Sequence, residues 1–236
     1  MPTADKTAET RYHHGDLRQS LIEAAQLMIT ESGVENFSLR KAALAVGVSQ
    51  AALYRHFAGK EELLAAVAKV AFLNVSKRLE NAYEQAQEEI ARACVPPETE
   101  DHSNGESDLA RSIAQARQTL KAVGLAYVVF ASEHPNLYRL MFDASLSNKQ
   151  RYPELTDARR QALKWAAKAV TSIFEQQQPF VDGHLENTKF LLQSSIHGVA
   201  SFVIEGLAPN YKSLAEMIDA LVDQTLIADR SRRDKN

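Results

Sequence analysis

The chain has 236 residues, with 27 Lys and Arg against 30 Asp and Glu and a formal net charge of −3. That balance excludes a globally basic coat that binds nucleic acid without preference. A single cysteine, Cys94, excludes an intrachain disulfide framework and fits a reducing cytosol, and a chain of this length holds ample core to fold without staples.

The first ten residues are polar, with no apolar signal core. The longest stretch free of Asp, Glu, Lys and Arg, Phe190 to Ile204, carries Gln193 and His197 and is too short and too polar to span a bilayer. A cytoplasmic protein is expected. Residues 1–13 are expected to form a flexible arm, with Arg11-Tyr12-His13-His14-Gly15 at its end and Arg18 just beyond. His13 and His14 are adjacent and point apart, with no cysteine nearby, so a phosphate-facing arm suits them better than a metal site. A first helix follows, with Leu17, Leu21, Ala24, Ala25, Met28 and Ile29 at helical spacing up to Ser32-Gly33.

The run from Ser38 to Lys60, SLRKAALAVGVSQAALYRHFAGK, is the most telling part of the chain. Ser38 is placed to cap a helix through Ala42, Ala43 and Ala45. Gly47 falls where that helix must turn left-handed, and Val48 is expected to plug the angle between helices. Ser49 caps the next helix, whose Leu53 and Phe57 make an inward stripe and which should run to Gly59. Apolar residues are expected inside. Gln50, Ala51, Ala52, Tyr54, Arg55 and His56 remain on the exposed sides. No Asp or Glu occurs from Asn36 to Lys60, whereas Arg40, Lys41, Arg55 and Lys60 are basic. Residues 1–60 carry seven Lys/Arg against six Asp/Glu, so any DNA contact must come from this local acid-free surface.

Residues 14–64 resemble the DNA-binding domain of the TetR family of bacterial regulators. The resemblance rests on Ser38-Leu39-Arg40 with Ala42-Ala43, Gly47-Val48-Ser49, Leu53-Tyr54-Arg55-His56-Phe57 and Lys60-Glu61-Glu62-Leu63-Leu64. It implies a homodimer that sets two recognition helices in successive major grooves of a palindromic operator, and a second helical domain whose ligand or partner releases the DNA. Chemistry and resemblance together give each residue a role. Gln50 suits an adenine edge and Arg40 a guanine, while Ala51 and Ala52 suit a thymine methyl. Tyr54, His56 and Lys60 match the family's phosphate-anchoring positions. Ser49 caps the recognition helix, and Arg55 suits either base or phosphate.

The rest of the chain, 65–230, is expected to be a helical ligand-binding and dimerisation domain in an all-α protein, with 231–236 as a tail. Prolines fall between its helix-periodic segments. Helices are expected over Lys60–Ala93, Leu109–Ser132, Asn136–Phe142, Glu154–Gln177, Leu185–Gly206 and Ser213–Ala228, the last opening on a capping box of Ser213 and Glu216. Residues 96–108, PPETEDHSNGESD, read as a mobile loop. The last two helices, about 184–206 and 213–228, carry apolar stripes. Leu185, Leu192, Ile196, Val199 and Val203 form one; Leu214, Met217, Ile218, Leu221, Val222 and Thr225 form the other. Either they pack inside one monomer or, as the resemblance implies, they pair with a dimer mate. The segment also resembles a TetR subset with a Trp-His-Gly signature. His197-Gly198 is present, but the tryptophan is absent.

Aromatic and Met residues gather in this body: Tyr127, Phe130, Tyr138, Met141, Phe142, Trp165, Phe174, Phe190 and Phe202. His134, Gln193 and His197 are polar handles among them. They suit either an apolar or amphipathic small effector or plain core packing. No hydrolase, nucleotide-binding or metal motif occurs, so neither an enzyme nor a cofactor is expected. A constitutive regulator without ligand, or a helical protein-interaction adaptor, would share most of these features.

Overall fold

The computed structural model describes residues 17–93, 105–175, 184–208 and 213–233. Among them every regular element is helical: α1 Leu17–Ser32, α2 Leu39–Ala45, α3 Gln50–Tyr54, α4 Lys60–Ala93, α5 Gly105–Glu133, α6 Pro135–Met141, a 3-10 turn Ala144–Leu146, α7 Pro153–Glu175, α8 His184–Ile204 and α9 Leu214–Arg233. The chain divides into two compact units between Val67 and Ala68. The arm 1–13, residues 96–104 of the expected loop and residues 234–236 of the tail lie outside the described residues.

The first unit, here called the head, is built on local signals. Leu21, Ala25 and Ile29 of α1 are buried with Phe37, Ala42, Leu53, Phe57 and Leu63. Gly33 ends α1 at φ 77°. Ser38 Oγ accepts from the Lys41 N–H at 3.2 Å to cap α2, and Ser49 Oγ accepts from the Ala52 N–H at 3.1 Å to cap α3. Between these caps Gly47 sits at φ 74°. Its N–H donates to Leu44 O at 3.0 Å, and the Val48 N–H donates to Ala43 O at 2.9 Å. This reciprocal pair closes a helix on a left-handed residue, and glycine adopts that conformation without strain.

Two expectations for the head need correction. α3 ends at Tyr54 rather than running to Gly59; Leu53 and Phe57 are both buried, but Phe57 reaches the core from the turn after the helix. The Gly59 carbonyl instead accepts from the Leu63 N–H at 3.4 Å as α4 opens, while Glu62 reaches back to the Ala58 N–H at 2.6 Å. Leu44 is 77% exposed instead of facing inward, because Leu39, Ala42, Ala43 and Val46 already fill the buried side of α2.

The second unit, the body, comprises the rest of α4 and α5 to α9. Its core joins Leu120 and Val128 of α5, Tyr138 of α6, Ala169 and Val170 of α7, Leu192 and Ile196 of α8, and Ile218 and Val222 of α9. Gly124 lets the helices approach: a Cβ there would stand 3.1 Å from Ile218 and 3.3 Å from Ile196. Pro135 and Pro153 open α6 and α7, where a missing N–H costs nothing. Ser213 Oγ accepts from the Glu216 N–H at 3.2 Å at the start of α9. α5 begins at Gly105, so Gly105–Asp108 are helical rather than loop, and α9 continues to Arg233. No helix among the described residues is long and apolar enough to cross a membrane.

Candidate functional site

Two regions of the molecule carry chemistry, one in each unit. In the head, Arg40, Ser49, Gln50, Ala51, Tyr54, Arg55, His56 and Lys60 are all exposed, and Ala52 is half-buried. Gln50 and Tyr54, four apart on α3, share a face. Arg55 caps the C-terminus of α3 and His56 lies in the turn after it, rather than on the helix as the stripe suggested. Ser49 is occupied as the N-cap. Lys60 is held by its own unit: Nζ donates to Val34 O at 3.3 Å and lies 5.7 Å from the centre of the Phe37 ring. An ammonium carries further N–H donors for an anion. Sequence reasoning missed Leu44, which lies four residues from Arg40 on α2 and so shares its outer face.

The body holds a cavity of about 480 Å³, within the range of small-molecule sites. Helices α4, α5, α7 and α8 wall it, with Phe72, Val123, Ala162, Leu163 and Ile196 among its apolar surfaces. Of the expected pocket residues, Tyr127, Phe142, Phe190, Gln193 and His197 line it. Tyr138 lies directly behind, its ring 5.1 Å from Phe142 and 5.5 Å from His197. Phe130 and Met141 are buried away from the lining, and His134 packs on Phe130 at 5.0 Å. Trp165 packs instead on Tyr83 at 5.4 Å, beneath the ammonium groups of Lys164 and Lys168. Phe202 is 57% exposed, and the side chain of Phe174 lies outside the described residues.

The polar end of the cavity is a phenol–imidazole cluster. Tyr138 Oη lies 2.5 Å from His197 Nδ1 and 3.1 Å from Tyr127 Oη, and Tyr127 Oη lies 3.3 Å from the same nitrogen. Burial pushes the Tyr138 phenol up to about 12, only partly offset by hydrogen bonds with Tyr127 and Ser201. Burial raises Tyr127 as well, helped by Tyr138, and it lowers His197 below the usual histidine value. All three groups are therefore neutral near pH 7. The network is satisfied with Tyr138 donating to Nδ1, an assignment that puts the ring proton on Nε2.

Sequence reasoning missed Arg159, which also lines the cavity. Its guanidinium stands 5.2 Å from the centre of the Phe72 ring, and Nη2 donates to Met141 O at 3.2 Å. Its Nε is shielded from water and has no acceptor. The α8 and α9 stripes expected at a dimer surface are largely inside the monomer: Leu192, Ile196, Met217, Ile218 and Val222 are buried there. The large apolar residues that α8 leaves exposed are Phe190, Leu191 and Phe202. No group of three or more His, Cys, Asp or Glu among the described residues could hold a metal ion.

Comparison with known proteins agrees with this architecture. Residues 21–67 match the profile of bacterial regulatory proteins of the tetR family. Residues 120–225 match the tetracyclin repressor-like C-terminal domain. No curated protein sequence matches the chain. Among solved structures, a protein of unknown function from Rhodococcus sp. RHA1 is 26% identical, with a TM-score of 0.66 over 92% of this chain and 97% of the other. A TetR-like transcriptional regulator from the same organism is 18% identical, with a TM-score of 0.54 over 90% and 97% of the two chains. The TetR family regulator PfmR from Thermus thermophilus is 22% identical, with a TM-score of 0.52 over 88% and 94%. These last two likenesses are of fold. With its head and most of its body each matched by a family profile, the chain belongs to the TetR family of DNA-binding transcriptional regulators.

Proposed function

We propose that this regulator is a ligand-responsive repressor that binds a palindromic operator as a homodimer. The DNA-binding domain would span 14–64, preceded by an arm over 1–13, and 65–230 would bind the effector and dimerise. One observation carries the reading of DNA: residues 36–60, which hold α2, α3 and the turn between them, contain no acid, are capped at Ser38 and Ser49, and leave Arg40, Gln50, Tyr54, Arg55, His56 and Lys60 exposed. Gln50 and Arg40 read base edges, with Ala51 against a thymine methyl. Tyr54, His56 and Lys60 hold phosphates, and Arg55 adds charge at the end of the helix. Phosphate contacts set affinity and register, whereas base contacts set sequence.

The cavity supports an effector in the body, and Leu191 and Phe202 on α8 support a dimer surface there. An effector releases DNA only by favouring a dimer state that the operator does not. Selection of the protein on random duplex DNA should enrich a palindrome with half-sites about one helical turn or slightly more apart. On that operator, Gln50→Ala should lose about 1–3 kcal/mol of discrimination against random DNA. Lys60→Ala should weaken both DNAs alike. Absence of enrichment at low salt would favour a protein-interaction adaptor instead.

A further inference from the structure

We propose that the effector is an anionic amphiphile, an organic carboxylate whose apolar body fills the cavity and whose charge is bound by Arg159. The inference rests on the effector reading above and gives it a chemical class. The described lining is apolar except at a few points, and it contains three charged side chains: Arg159, Glu186 and Lys189. The last two neutralise each other, with Nζ 2.8 Å from the carboxylate. Arg159 has no carboxylate partner among the described residues. Its contacts are the Met141 carbonyl and the face of Phe72, which satisfy one N–H and leave Nε buried without an acceptor.

A buried cationic donor without an acceptor is costly, and the cost is relieved by a ligand that brings one. The planar guanidinium fork matches a carboxylate, which can accept from two of its N–H groups at once. From Arg159 an aromatic wall leads along the cavity: Phe72 at 5.2 Å, Phe142 at 5.7 Å from Phe72, and His197 at 4.3 Å from Phe142. The cation and the neutral His197–tyrosine cluster are therefore separated by apolar surface. This arrangement suits a molecule with an anionic head and an apolar body, because Glu186, the carboxylate of the described lining, is already paired with Lys189.

The test is calorimetric titration of the full-length protein with a series of straight-chain and aryl carboxylates, each beside its matched primary amide. Wild type should bind at least one carboxylate about tenfold or more tightly than its amide. Arg159→Gln should remove that preference, so that the carboxylate binds no more tightly than its amide, and a melting temperature close to that of wild type would show that the loss is not one of folding. Arg159→Lys should keep part of the preference. Equal binding of carboxylate and amide by wild type would overturn the anionic class while leaving a ligand cavity in place. A carboxylate preference that survives Arg159→Gln would overturn the role of Arg159. Binding of no member of either series would overturn this proposal and the effector reading together. Carboxylate binding that leaves operator affinity unchanged would support the ligand class and overturn only the effector reading.

Discussion

Gly47 stands left-handed with open space where a Cβ would go, so its replacement meets conformational strain and no clash. Gly47→Ala should cost the head about 1 kcal/mol, read as a lower midpoint in chemical denaturation. His197 carries a different liability. Burial depresses its pKa in the folded protein, so folding is favoured while the ring stays neutral. As pH falls through the unfolded histidine value near 6.5, the unfolded chain takes up a proton that the folded protein resists, and stability drops. Melting temperature should therefore fall between about pH 7.5 and the lowered folded value, and His197→Gln should flatten that slope. The two residues also differ in legibility. Gly47 announces itself in sequence because a helix stop followed by a capping serine is a local signal. The Tyr127–Tyr138–His197 cluster gathers side chains from α5, α6 and α8, so only the fold reveals their hydrogen bonds.

At the scale of elements, helix identity was readable and helix ends less so. Period and proline position placed every helix, and α4 runs over the expected span. α3 was expected too long because Phe57 continues the stripe of Leu53 after the helix has ended; burial follows the core, not the hydrogen-bond ladder. α5 was expected too short because Gly105–Asp108 read as turn formers. The stripes of α8 and α9 show the limit of periodicity: it identifies a buried face without naming what buries it. Leu192, Ile196, Ile218 and Val222 serve the monomer's own core. The dimer surface proposed above therefore rests on a neighbouring face of α8, where Leu191 is 48% and Phe202 57% exposed. The double substitution Leu191→Glu with Phe202→Glu should convert the dimer to a monomer in sedimentation, because each carboxylate would be desolvated in the interface. It should leave the melting temperature of the monomer nearly unchanged.

For the whole molecule, the division of labour was legible mainly in the head, where function rests on contiguous sequence. Arg159 escaped notice because it reads as one of two adjacent arginines on a polar-looking helix; the Met141 carbonyl and the Phe72 ring that define its setting lie on other elements. If an effector in the body weakens operator affinity by some factor, thermodynamic linkage requires operator DNA to weaken effector binding by the same factor. Titration of a binding carboxylate with and without saturating operator duplex should return equal factors. The placement of Trp165 makes such titrations simple. It is the sole tryptophan of the chain, it rests on Tyr83 outside the cavity, and its helix neighbours Ala162 and Ala166 line that cavity. The protein thus carries a native fluorophore one turn from where a ligand would lodge. Its emission, read without a label, reports on the packing of Tyr83, Lys164 and Lys168 around it.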